Sequence, residues 1–275
     1  MLLTDVHNHS TYSTDGRASL EDMVKTAKEM GLRYFGISEH FDYDYIAAGL
    51  KIHGFEPPYT DAAAYFAEAE SLKHKYGGAD FTFLAGGEFG FSDSPWCKEE
   101  YIKLIEKYSP DFVVNSVHTV KGKDCWFKEY FEGKSKQKAY GDYLERVRES
   151  LDAPYRYDIV AHLGYCSRNA VYEDRKLRYE EFSDIIDDIL RTVIEKEKIL
   201  EVNSSSRGAG SEFLPDCDIL SRYFELGGRN ISFASDAHAT DRICDKRQLV
   251  VSALKNIGFT HITVPIRDEI VRVQL

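Results

Sequence analysis

His7 and His9 stand two residues apart in Asp5-Val6-His7-Asn8-His9, and on an extended backbone two rings at that spacing project to the same side. One divalent cation can take both imidazoles from such a strand end. Ser13-Thr14-Asp15-Gly16 follows, where Asp15, past a short turn, can return a carboxylate to the same place. His40, Glu88, His118 and His162 then each lie at the end of a short apolar run, and Asp236-Ala237-His238 repeats the spacing of the first pair. A carboxylate has two oxygens, so Glu88 can bridge two ions. These nine ligands exceed the roughly four that a single zinc takes, and they suit two or three divalent ions. A mixed histidine and carboxylate set without cysteine favours Zn, Fe or Mn over Mg or Ca. Such a centre offers a metal-bound hydroxide near neutral pH and stabilises negative charge on a substrate oxygen. Glu88, Asp236 and His238 are therefore the candidate catalytic residues, with Asp236 or His238 able to pass a proton to the leaving alkoxide through bound water.

A phosphoryl substrate would need cationic donors for the oxygens turned away from the ions. Arg168, six residues past His162, and Arg207, four past Asn203 and beside Gly208, occupy loops leaving strand ends, and arginine binds phosphate bidentately. Lys121 and Lys123 are weaker candidates for the same task. The stretch Phe41-Asp42-Tyr43-Asp44-Tyr45 supplies acids and aromatics for the rest of a substrate, and Asp42 is its candidate contact. His53, His74 and His261 have no such partners and read as ordinary histidines.

Seven β-type runs position these groups: Leu2–His7, Tyr34–Ser38, Phe81–Glu88, Phe112–His118, Asp158–His162, Ile199–Asn203 and Ile231–Asp236. They alternate with amphipathic helices, the signature of a parallel sheet. The first helix opens at Ser19, an N-cap followed by acids, and closes at Gly31. The second runs from Thr60-Asp61 to Tyr76-Gly77, and the others cover Trp96–Tyr108, Gln137–Leu151, Tyr179–Lys196, Pro215–Leu226 and Asp245–Asn256. Seven β/α units are one short of a regular barrel, whose C-terminal face gathers catalytic groups. The long connections Phe41–Tyr59 and Thr119–Lys138 leave strand C-termini and should overhang the cavity. No linker or repeat divides the chain, so residues 1–275 read as one domain. Glu39 should face away from His40 along the pleat and act from behind the ligands.

DVHNHSTYSTDG, GISEH, the GGE at Gly86–Glu88, the SVH at Ser116–His118, AHLG and SDAH, in this order, resemble the polymerase-and-histidinol-phosphatase (PHP) superfamily. Within it the chain is most similar to the monofunctional histidinol-phosphate phosphatases, over essentially its whole length. The resemblance implies an α/β fold, a distorted (β/α)7 barrel of TIM-like form, with a trinuclear centre. It implies one ion on His7, His9, Glu88 and Asp236, a second on Glu88, His118 and His162, and a third on Asp15, His40 and His238. Many relatives carry histidine where this chain has Asp15. The implied activity is hydrolysis of L-histidinol phosphate to L-histidinol and phosphate, a step of histidine biosynthesis. Other readings are another PHP phosphoesterase acting on a nucleotide or small phosphomonoester, an amidohydrolase-type hydrolase, or a metal-binding protein without activity.

Composition bounds the partners. Of 275 residues 43% are hydrophobic and 29% charged, which is enough apolar matter for a large core. A net charge of −11 argues against nucleic acid and leaves a small phosphomonoester as the expected partner, with oligomeric state open. Five scattered cysteines form neither a disulfide framework nor a thiolate metal site and read as reduced thiols. No apolar stretch approaches the ~20 residues a membrane helix needs, so the expectation is a soluble, cytoplasmic enzyme.

Overall fold

The structure, a computed structural model, describes residues 3–51, 60–206, 211–267 and 269–275. Seven parallel strands form one sheet: β1 (Thr4–Asp5), β2 (Tyr34–Phe41), β3 (Thr82–Gly90), β4 (Val113–Ser116), β7 (Ile159–Val160), β8 (Ile199–Asn203) and β9 (Ile231–Ala234). A short hairpin, β5 (Thr119–Val120) and β6 (Lys123–Asp124), follows β4, and a longer antiparallel one, β10 (His261–Ile266) and β11 (Glu269–Gln274), ends the chain. The sheet curls until β1 meets β9. Val6 N–H donates to the Phe233 carbonyl at 3.3 Å, Asp236 N–H to His7 at 2.9 Å and His9 N–H to Ala237 at 2.9 Å. The result is a nearly closed α/β barrel of TIM-like form, with every expected strand in its place. Among the described residues no helix is long and apolar enough to cross a membrane.

The helices are α1 (Leu20–Glu29), α2 (Tyr43–Ala48), α3 (Ala62–Tyr76), α4 (Pro95–Tyr108), α5 (Lys136–Ser150), α6 (Ser183–Glu195), α7 (Cys217–Glu225) and α8 (Arg247–Ile257). In α1 the Ser19 hydroxyl accepts the Asp22 N–H at 3.1 Å, and Leu20, Met23, Val24 and Ala27 are buried at helical spacing. Asp61 caps α3 in the same way. Within the expected connection Phe41–Tyr59 the described part folds into α2, stopped by Gly49 at φ 66°.

Strands β2 and β3 extend beyond the expected Ser38 and Glu88, pairing over eight positions from Tyr34↔Thr82 to Phe41↔Phe89. The polar letters Ser38-Glu39-His40 look like a strand end in one dimension. Both faces of a barrel strand are buried, however, so these side chains lie in the interior without breaking the ladder.

The interior is layered. Tyr34, Leu84, Val114, Ile159 and Ile199 pack with Val264 of the terminal hairpin into one apolar cluster, separate from the cluster between barrel and helices. One step towards the C-terminal face, the ring of Phe112 fills the barrel where β2 and β3 carry Gly36 and Gly86. A Cβ on Gly86 would lie 2.6 Å from that ring. On the same faces Glu88 follows two residues beyond Gly86, and its register partner His40 four residues beyond Gly36. Gly86→Ala is thus expected to destabilise the fold by about 1–3 kcal/mol through overpacking, read as a lower urea midpoint. An unchanged midpoint would mean that Phe112 moves aside freely.

Candidate metal centre

Four of the ligating motifs share one geometry. His7, His118, His162 and Asp236 each stand two residues beyond the last residue of β1, β4, β7 and β9, while His40 and Glu88 lie inside the longer β2 and β3 as register partners. Gly16 lets the intervening loop turn back, because any Cβ there would strike the Ser10 carbonyl. Arg17 N–H then donates to the His238 carbonyl at 2.8 Å, bringing Asp15 to 3.1 Å from His238 Nε2. Asp236 sits at φ 51°, a costly backbone state for a non-glycine residue and one that clusters at functional sites.

Glu88 is the hub. Its Oε2 lies 2.7 Å from His40 Nδ1, 3.3 Å from His7 Nε2 and 3.6 Å from His9 Nε2. Its Oε1 lies 3.2 Å from His118 Nε2 and 3.1 Å from His162 Nε2. Asp236 Oδ1 approaches His9 Nε2 to 3.3 Å and His7 Nε2 to 4.0 Å. Three groups have ligand atoms within 4.8 Å of one another: His7, His9 and Glu88; Glu88, His118 and His162; and His9, His40 and His238. The first lacks the Asp236 of the expected set, and the second has the same three residues as its expected set. In the third, His9 stands where Asp15 was expected, and Asp15 pairs with His238 and lies 3.8 Å from His40 Nε2.

These residues fit cations. Nε2 of His7, His9 and His238, Nδ1 of His40, Oδ1 of Asp15 and Oε2 of Glu88 are buried without a hydrogen-bond partner of good geometry. Each such group costs about 1–3 kcal/mol when nothing satisfies it, so a cluster of them calls for ions. Burial alone would raise the Glu88 carboxyl, yet His7, His40 and His118 hold it well below its ordinary value. Asp236 is likewise held well below, against burial, by His9, His7 and Arg168. Both stay ionised, as ligation requires. Burial together with His40 and His238 pushes His9 well below its ordinary value, towards the neutral imidazole that binds metal.

A supporting layer holds the ligands. His7 Nδ1 lies 2.5 Å from Glu201 Oε1, which leaves Nε2 for an ion. Glu201 also accepts the His162 N–H at 2.8 Å and the Asn203 side-chain amide at 3.0 Å. Ser116 donates to Glu88 Oε1 at 2.5 Å. Glu39, buried as expected behind the site, accepts the Ser13 hydroxyl at 2.5 Å, and Ser13 Oγ in turn lies 3.3 Å from His9 Nδ1 and accepts the His40 N–H at 2.9 Å. Glu201 and Asn203 escaped the sequence reading. Their signal was an acid and an amide two apart within the otherwise apolar Ile199–Asn203, on the parity of the inward Ile199. Glu201→Gln should weaken metal binding by about 10–100-fold, measurable by chelator competition; unchanged affinity would reduce Glu201 to a packing role.

Of the substrate candidates, Arg168 is 8% exposed, donates to Asn203 Oδ1 at 2.8 Å and Asp236 Oδ2 at 3.2 Å, and keeps a buried, unpartnered Nε. Asp42 is buried with its Oδ1 4.0 Å from His40 Nδ1, and burial, partly offset by His40, raises it to about 6. Arg207 lies outside the described residues. The two lysines turn elsewhere: Lys121 pairs with Asp142 at 2.9 Å and Lys123 donates to the Glu129 carbonyl.

Comparison with known proteins agrees with this fold. The solved histidinol phosphate phosphatase of Lactococcus lactis subsp. lactis, complexed with zinc, L-histidinol and phosphate, superposes with a TM-score of 0.83 at 24% identity, covering 98% of this chain and all of that one. The chain is 28% identical over 245 residues to "Probable histidinol-phosphatase" of Clostridium acetobutylicum, covering 88% of this chain and 89% of that one. It is 26% identical over 256 residues to the histidinol-phosphatase of Lactococcus lactis, covering 93% and 91%. The PHP domain family matches residues 5–205, which carry β2 to β8 and every candidate ligand except Asp236 and His238. This chain therefore belongs to the PHP domain family.

Proposed function

We propose that this protein is a metal-dependent phosphomonoesterase that hydrolyses L-histidinol phosphate to L-histidinol and inorganic phosphate. The observation that carries the reading is Glu88, whose two oxygens face two different sets of imidazole nitrogens. Two or three divalent ions (Zn, Fe or Mn) would be held by His7, His9, Glu88 and Asp236, by Glu88, His118 and His162, and by His40 and His238 with Asp15. When bound, such ions supply a nucleophile at neutral pH and neutralise phosphoryl charge.

The remaining work falls to side chains. Arg168 holds Asp236 by one arm of its guanidinium and offers the buried Nε to a phosphoryl oxygen. Arg207 is proposed as a second phosphate contact, and Asp42 as an acceptor for a cationic end of the alcohol. Glu201 fixes the ring orientation of His7, and Ser116 that of the Glu88 carboxylate. The choice of substrate rests on the relatives, named for that reaction and matched over about nine-tenths of their lengths.

Steady-state assays with L-histidinol phosphate, glycerol 1-phosphate and p-nitrophenyl phosphate, run alongside elemental analysis of the purified protein, test both halves. Two to three ions per chain and a clear preference for L-histidinol phosphate are expected. Turnover of L-histidinol phosphate no faster than of p-nitrophenyl phosphate would remove the substrate assignment. Absence of phosphate release from all three would remove the class.

A further inference from the structure

The connection after β4 does more than overhang the cavity. Hairpin β5–β6 turns at once, and Cys125 N–H donates back to the His118 carbonyl at 2.9 Å, so residues 119–127 fold onto the strand end that presents His118. At its base the buried Asp124 carboxylate accepts the Trp126 N–H at 2.7 Å and the Tyr45 hydroxyl at 2.8 Å. The Trp126 ring lies 6.1 Å from that of Tyr165, and Tyr165 lies 5.1 Å from the rings of both His118 and His162. With the Asn169 amide turned so that its oxygen meets the indole, Trp126 Nε1 donates to it at 2.9 Å. An aromatic path thus starts at an indole that is 38% exposed and ends against two candidate ligands.

We propose that Trp126 and Tyr165 form the wall that selects the substrate, by stacking against a flat heteroaromatic ring in its alcohol half. The inference rests on the phosphatase reading and names the part of the site that reads the alcohol. The large exposed indole is pinned at its amide by Asp124 and at its ring nitrogen by Asn169, so little ordering remains to be done on binding. The Arg168 guanidinium lies 5.3 Å from the Tyr165 ring centre, which sets an anion donor beside the wall. That adjacency suits a short alcohol with phosphate at one end and a flat ring at the other.

The test compares L-histidinol phosphate with glycerol 1-phosphate, which has no ring, in wild type, Trp126→Ala and Trp126→Phe. The ratio of the two kcat/KM values should fall about 10–30-fold in the alanine variant, chiefly through KM for L-histidinol phosphate, and recover largely in the phenylalanine variant. Inhibition by L-histidinol should weaken in parallel. In a Trp96→Phe background, where Trp126 is the remaining indole, added L-histidinol should quench tryptophan fluorescence. A wild type that prefers L-histidinol phosphate, with a Trp126→Ala variant that keeps the full preference, would overturn the wall and leave the substrate standing. A wild type without preference would overturn both.

Discussion

Replacing Glu88 by alanine is expected to lower kcat/KM by about 10³-fold or more, as loss of several kcal/mol of metal-borne stabilisation would require. Metal content should fall with it. The reason is geometric. Five imidazole nitrogens converge on this one carboxylate, three on Oε2 and two on Oε1, and no other described acid faces both sets. Removing it deletes a ligand from two groups at once and leaves buried histidines without their counter-charge. His40→Ala removes a nitrogen grouped with His9 and His238, so it should cost about one to two orders of magnitude and one ion. Paired kinetics and elemental analysis of the two variants decide the matter. Comparable activities with equal ion counts would mean that the ligands divide among the ions differently.

Arg168→Ala should lower kcat/KM by about one to two orders of magnitude, the worth of a charge-assisted contact of roughly 1.5–3 kcal/mol. Inhibition by free phosphate should weaken in step. Arg168→Lys should rescue little, because the donors of an ammonium all sit on one nitrogen, whereas arginine holds Asn203 and Asp236 with Nη2 and presents Nε from a separate position. If phosphate inhibition stays at its wild-type value while kcat falls, Arg168 acts by holding Asp236 alone. The phosphate contact would then pass to Arg207, whose own alanine variant should show the effect without loss of metal.

The ligand residues were readable in one dimension because a parallel barrel converts sequence order into convergence. Every strand ends on the same face, so His7, His40, Glu88, His118, His162 and Asp236, each near a strand end, had to meet. The His-x-His and Asp-x-His spacings add that both side chains of a pair project together. Residue chemistry and strand periodicity therefore named the candidate ligands, the seven strands and the helix cap at Ser19.

What tertiary structure decided lies in contacts between segments remote in sequence. Glu201, 194 residues from His7, looks like one acid in an apolar strand until its Oε1 is found 2.5 Å from the His7 ring. Hairpin β10–β11 follows the last β/α unit and carries no motif, yet Val264 packs with the interior ends of the barrel strands and helps fill what seven strands enclose. Lys121 and Arg168 look alike as loop cations near ligands, and only folding separates them, one drawn outward by Asp142 and the other inward by Asp236. Tyr165 and Trp126 gain their meaning in the same way. Strand direction is inherited from local sequence, whereas the direction of a loop side chain depends on which distant charge or ring it meets.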